Sequence, residues 1–123
     1  MRLRLKGSLF LVIFVICLLS ISVFAQTRKE IMEQLNQARK NFIAERDKLH
    51  DQNRILRINW HSERAQLYQQ LKQNPNNKQI QDKLNEGVKK FLADKDEIYR
   101  KLEKLRKDWL KTRKELKERI RAS

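Results

Sequence analysis

Apolar residues recur at intervals of three and four along almost the whole chain after residue 26, and this spacing is interrupted at one place. Such intervals return a side chain to the same face of an α-helix. The pattern therefore predicts an all-α chain with two long helices, each carrying one apolar stripe. The chain of 123 residues contains only two glycines and one proline, which is typical of long helices.

The two stripes fall in a predicted helix over residues 27–73 and a second over residues 78–121. In both stripes, the mean spacing between successive members is close to the repeat of a straight helix, about 3.6 residues per turn. The first stripe is Ile31, Leu35, Ala38, Phe42, Glu45, Leu49, Asn53, Leu56, Trp60, Glu63, Leu67 and Leu71. The second stripe is Ile80, Leu84, Val88, Phe91, Lys95, Ile98, Leu102, Leu105, Trp109, Thr112, Leu116 and Ile120.

Between the helices, residues 74–77 read Asn-Pro-Asn-Asn and predict a turn. Pro75 would break a helix interior, although it fits a first helical position. The asparagines can end one helix in the left-handed conformation or cap the next. A short turn predicts an antiparallel, coiled-coil-like hairpin centred between Pro75 and Asn76. This register pairs Leu67 with Leu84, Trp60 with Phe91, and Phe42 with Trp109.

The N-terminal segment has the features of a cleavable signal peptide over residues 1–25. Arg2, Arg4 and Lys6 precede an apolar run from Leu9 to Leu19, and the segment ends in Val23-Phe24-Ala25. We expect cleavage before Gln26, leaving residues 26–123 as an exported hairpin in the periplasm or outside the cell. The alternative is an uncleaved anchor in the inner membrane over residues 7–27, which is long enough to span a bilayer. Cleavage would remove Cys17, the sole cysteine.

One two-helix hairpin covers only one side of each helix, so we expect a homo-oligomer, most simply a twofold dimer. Further apolar residues lie outside the stripes and form a candidate apolar face for a partner: Ile55, Ile58, Tyr68, Leu92, Tyr99 and Leu110. Polar residues such as Asn53 and Lys95 would weaken the seam, and so would Gly87, because glycine lowers helix propensity. These layers are candidate sites of bending or register selection.

Basic residues outnumber acidic ones by 29 to 15, and the excess is largest toward the C-terminus. An exported chain rarely meets nucleic acid, so we expect anionic envelope surfaces or other envelope proteins as partners, and a membrane surface is a further candidate. The candidate anionic-partner patch is Arg100, Lys101, Lys104, Arg106, Lys107, Lys111, Arg113, Lys114 and Lys117. The alternative is that these charges only solvate the helix.

The sequence has no pattern typical of an enzyme. His50 and His61 are too far apart along one helix to share a metal ion, and no glycine-rich phosphate loop occurs. We therefore expect neither catalysis nor a cofactor nor a metal. Trp60 and Trp109 are expected to pack in the core rather than to hold a ligand.

In architecture, the predicted hairpin resembles the periplasmic holdase chaperones with tentacle-like helical hairpins. Those trimeric chaperones also have a small β-rich body, and no segment here has a β-strand pattern. The cradle-shaped periplasmic chaperones carry Leu-Thr-x-x-Gln repeats, whereas this chain has only Leu35-Asn36-Gln37-Ala38, which lacks the threonine. The resemblance is limited to architecture. We expect a chaperone-like holdase that uses a basic and partly apolar helical surface to hold envelope proteins. The alternative is a structural spacer or assembly factor of an envelope complex, which an uncleaved N-terminal helix would anchor in the membrane.

Overall fold

The computed structural model contains two α-helices, α1 (Arg2–Gln73) and α2 (Lys78–Ala122), which pack against each other. The structure describes residues 27–123, and no strand occurs among them. The predicted all-α fold and the helical hairpin are therefore confirmed. The predicted signal peptide and residues 7–26 of the alternative anchor lie outside the described residues. Within residues 27–123, no helix combines the length and apolarity needed to cross a membrane.

The chain divides into two compact units, each of which contains segments of both helices. The turn unit is Lys40–Trp109, and the terminal unit is Met1–Arg39 with Leu110–Ser123. In the terminal unit, Ile31 and Leu116 are buried. The turn unit holds the larger share of the buried residues and all of the aromatic pairs described below.

The turn from Asn74 to Asn77 is held by hydrogen bonds from both its backbone and its side chains. The backbone N–H of Asn77 donates to the carbonyl of Asn74 at 3.1 Å, which places Pro75 second in a four-residue turn. The side chain of Gln81 also donates to the Pro75 carbonyl at 3.1 Å. No described residue has a positive φ, so the left-handed ending that the sequence allowed is not used.

Asn77 caps the N-terminus of α2. Its Oδ1 accepts hydrogen bonds from the backbone N–H groups of Gln79 at 3.1 Å and Ile80 at 3.4 Å. These groups have no partner within the first helical turn, so an asparagine at this position stabilises the helix start. The sequence allowed the turn asparagines either to end α1 or to cap α2, and Asn77 takes the second role. Pro75 lies in the turn before it and not at the first helical position.

The predicted register of the hairpin is found throughout the turn unit. Leu67, Ile80 and Leu84 form a buried cluster against which Leu71 packs. The rings of Trp60 and Phe91 stack at 5.9 Å between centroids, and those of Phe42 and Trp109 stack at 5.4 Å. Because both aromatic pairs belong to the register centred between Pro75 and Asn76, stripe spacing and turn position lead to the same pairing.

Three members of the predicted stripes are exposed instead of buried. Glu45 and Glu63 of α1 face solvent, as does Val88 of α2, which is 42% exposed. Burial would remove the two carboxylates from water without a compensating partner, which is unfavourable. Val88 is displaced from the seam because Gly87 lies there instead, against the indole of Trp60.

Candidate partner-binding surface

The six residues of the predicted apolar face are all exposed, by 46% to 56%. Two more large apolar side chains are similarly exposed, Met32 of the terminal unit and Val88 of the turn unit. Met32 is not among the residues of the predicted apolar face, and Val88 is a member of the predicted α2 stripe. Both could have been found by following rotation around each helix rather than membership of a stripe.

The six residues do not share one face. At about 100° of rotation per residue, Tyr68 lies about 100° from the buried Leu67, whereas Ile55 lies about 120° from it in the opposite sense. Ile58 lies about 180° from Leu67, on the back of α1. Leu110 belongs to the terminal unit. The exposed apolar residues of the turn unit therefore form separate surfaces.

Tyr68 shares its side of the hairpin with a line of residues on α2. Measured from Phe91, Val88, Tyr99 and Leu92 are rotated by about 60°, 80° and 100°. Both helices are right-handed and they run in opposite directions, so a rotation in the same sense from the seam leads to the same side of the hairpin. Tyr68 and these three residues thus lie on one side of the turn unit.

The same side carries a row of cations. On α1, Arg46 and Arg64 are rotated by about 60° from the seam, and Arg57 by about 80°. On α2, Lys95 and Arg106 are rotated by about 40° and 60°. We call this surface the arginine side: Arg46, Arg57, Arg64 and Tyr68 of α1, and Val88, Leu92, Lys95, Tyr99 and Arg106 of α2.

Carboxylates of the turn unit lie elsewhere. Glu45, Glu63 and Asp94 are rotated to the opposite side of the seam, by about 40° to 60°. The nearest acidic residues are Glu103 and Asp96 at about 120° and 140°, beyond the edge of the arginine side. Glu103 is engaged by Lys107 at 3.2 Å. The arginine side is therefore cationic and apolar with no acidic residue.

Of the five cations on this side, Arg46 alone has an ion pair within the described part of the chain. The Lys95 ammonium lies 5.8 Å from the centre of the Tyr99 ring, and the Arg46 guanidinium lies 5.8 Å from that of Phe42. Arg46 also reaches Asp47 at 3.3 Å, but both side chains are largely exposed, so this pair is weak. Arg64 approaches His61 Nδ1 at 3.4 Å. Arg57 has no ion pair with any of the described residues.

Five of the nine residues of the predicted anionic-partner patch belong to the turn unit, where they encircle α2. From Phe91, Arg106 is rotated by about 60°, whereas Lys101 is rotated by about 80° in the opposite sense and Arg100 by about 180°. Lys101 and Lys107 are paired with Glu97 and Glu103, each at 3.2 Å, as their i,i+4 spacing predicts. In the terminal unit, an open depression along α2 is lined by Leu110, Arg113, Lys114, Lys117, Glu118 and Arg121. The patch residues of the turn unit therefore do not form a single face for anions.

Metal-binding geometry does not occur in the described part of the chain. Residues 27–123 contain no group of three histidine, cysteine or carboxylate side chains placed to hold an ion. His50 and His61 are both exposed on α1. Measured from Leu67, His50 is rotated by about 100° and His61 by about 120°, so His50 lies at the edge of the arginine side and His61 beyond it.

Comparisons with known proteins do not assign the chain to a family. No family model, curated protein sequence or solved structure matches it. The function must therefore be argued from the surfaces of the hairpin.

Proposed function

We propose that the chain is an exported, non-enzymatic binding protein that holds other envelope proteins in the manner of a chaperone. The observation that carries this proposal is the arginine side, where half-exposed apolar side chains lie among cations. Contiguous apolar surface rimmed by polar groups is typical of protein interaction sites. The positive charge keeps the hairpin soluble and attracts acidic partners from a distance.

The hairpin fold suits this role because its binding surface is presented by regular helices. Tyr68, Leu92 and Tyr99 project from helical backbone that is fixed by the Trp60 and Phe91 layer beneath it. Aromatic and aliphatic side chains held in this way can contact varied partners without first becoming ordered. In an obligate spacer, a permanent partner would have to cover these same side chains.

A structural spacer or assembly factor is the second candidate, and a different surface favours it. Ile55 and Ile58 are about half exposed on the back and flank of α1, away from the arginine side. A second apolar surface of this kind would be buried by self-association or by docking to a fixed complex. Membrane anchoring through residues 7–27 would agree with this role.

The test measures whether the full-length chain suppresses the aggregation of an unfolded client, for which reduced α-lactalbumin is a suitable probe. We expect suppression by the native chain and its loss when Leu92→Gln and Tyr99→Gln are combined. The matched control combines Ile55→Gln and Ile58→Gln, which removes as much exposed apolar surface from the other faces. Absence of suppression by the native chain would contradict the proposal, and self-association abolished only by the control pair would favour the spacer.

A further inference from the structure

We infer that the arginine side of the turn unit docks an acidic amphipathic helix of a partner protein. This inference rests on the proposed function, because it names the partner class for the same surface. The partner would lie along the groove between α1 and α2, as a third helix added to the hairpin. Its apolar stripe would meet Val88, Leu92 and Tyr99, and its carboxylates would meet Arg57, Arg64 and Lys95.

The state of the core is the first observation in support. No described side chain is fully buried, and even Trp60 and Leu67 at the centre of the turn unit are each 7% exposed. Two paired amphipathic helices shield only one side of each helix. A third helix docked in the groove between them would cover more of their apolar surface. Tyr68, Leu92 and Tyr99 flank this groove with about half of their surface still exposed.

The charges give the second observation, because they come from both helices and have one sign. Arg46, Arg57 and Arg64 recur at intervals of 11 and 7 residues, and together these intervals make about five turns of a helix. On α2, Lys95 and Arg106 provide cations on the other side of the groove. A partner helix in the groove would therefore have cations along both of its sides, and glutamates or aspartates on those sides would be attracted to them.

The same charges disfavour a second copy of the chain as the occupant. Two arginine sides facing each other would bring cations against cations with no carboxylate on either surface, and like charges in an interface are strongly repulsive. A dimer formed through the back of α1, near Ile55 and Ile58, would leave the arginine side open. The expected homo-oligomer and the docked partner therefore use different surfaces.

A lipid surface is less suited to this side than a helix. The Lys95 ammonium lies over the Tyr99 ring, 5.8 Å from its centre, so inserting this ring into a bilayer would either bring the cation toward the acyl region or separate the pair. Insertion into a bilayer requires apolar side chains that extend past the cations into the acyl region. An acidic helix needs the opposite arrangement, in which a carboxylate and an apolar side chain meet the surface side by side.

The experiment measures binding of synthetic helices to the full-length chain by fluorescence anisotropy. The probe is a labelled peptide of three heptads, about 21 residues, with leucine at the core positions and glutamate at the flanking positions. A second peptide has lysine in place of every glutamate. Vesicles of phosphatidylglycerol and phosphatidylcholine form the lipid arm. We expect the acidic peptide to bind, the basic peptide not to bind, and added salt to weaken the complex.

Two matched triple variants locate the site. Arg57→Gln, Arg64→Gln and Lys95→Gln together should weaken binding at least about tenfold, the combined effect of three partly exposed ion pairs. Lys48→Gln, Lys83→Gln and Lys90→Gln remove the same charge from the opposite side of the hairpin and should change affinity less than about twofold. Circular dichroism of both variants verifies that the helices persist.

Three results would overturn the inference: equal binding of the acidic and basic peptides, equal effects of the two triple variants, or binding to the anionic vesicles in place of the acidic peptide. Client aggregation assays on the same protein separate this failure from that of the proposed function. If the chain suppresses aggregation but does not bind the acidic peptide, the proposed function stands and the inference is wrong. If the chain binds the acidic peptide through Arg57, Arg64 and Lys95 but does not suppress aggregation, the inference stands and the proposed function is wrong.

Discussion

The indole of Trp60 lies against the backbone of Gly87, in space that a side chain at residue 87 would occupy. A β-carbon placed on Gly87 would lie 2.7 Å from Cη2 of Trp60 and closer still to Cζ3. The ring cannot easily move away, because its other contacts include the stacked Phe91 ring at 5.9 Å. Gly87 therefore leaves the space that the Trp60 indole occupies and is not a weak layer of the seam.

Replacing Gly87 by alanine should destabilise the hairpin by about 1 to 3 kcal/mol, the usual cost of overpacking a core. In an unhindered helix the same change would be stabilising by about 1 kcal/mol, because alanine is the better helix former. Thermal and urea unfolding followed by circular dichroism measures the difference.

The control for this prediction is the same change in a Trp60→Leu background. Removing the indole itself costs stability, but it frees the space above residue 87. Gly87→Ala should then become stabilising by up to about 1 kcal/mol. If the sign of the effect is the same in both backgrounds, the contact between Trp60 and Gly87 does not determine the choice of glycine.

The cap of α2 gives a second prediction. Asn77→Ala should lower the free energy of unfolding by about 1 kcal/mol, because the N–H groups of Gln79 and Ile80 lose their acceptor. Asn77→Asp keeps an acceptor at this position and should retain most of the stability. The matched control is Asn76→Ala in the same turn, which should change stability much less. Equal losses at residues 76 and 77 would contradict the assigned cap.

A third prediction concerns Asn53, whose Oδ1 is buried without a hydrogen-bond partner among the described residues. The register places this side chain opposite Ile98, in an apolar layer. A buried acceptor without a donor costs about 1 to 3 kcal/mol, so Asn53→Leu should raise the midpoint of unfolding. Asn59→Leu, at an exposed position of the same helix, is the control and should have little effect. Loss of stability in Asn53→Leu would show that the amide is satisfied in solution.

The helices and their register could be predicted because they depend on spacing and turn chemistry, which are both local in the sequence. The rotations of individual residues were harder to predict. Successive intervals of three and four residues allow the angular position around the helix to vary from one stripe member to the next. The predicted stripes therefore include Glu63 and Val88, although both are exposed. Gly87 was interpreted through helix propensity, and only the packed structure shows the indole above it.

The arginine side was missed for a related reason. Basic residues are most numerous along the C-terminal part of α2, so a count of charge along the chain predicts a patch there. The cations of α1 are fewer, but Arg46, Arg57 and Arg64 are rotated to one side. Their spacing of 11 and 7 residues is visible in the sequence, and combining it with the register of α2 would have identified the surface.

The register itself can be tested by cysteine crosslinking in the turn unit. In a Cys17→Ser background, Leu49→Cys combined with Leu102→Cys places two thiols at facing positions of the seam. Oxidation should give a crosslink within one chain, visible as faster migration on a non-reducing gel. The control pair is Leu49→Cys with Phe91→Cys, which lies about 16 Å further along α2 and should not react within the chain. Crosslinks formed only between chains would instead indicate that α1 of one copy pairs with α2 of another, and the hairpin would then be an exchanged dimer.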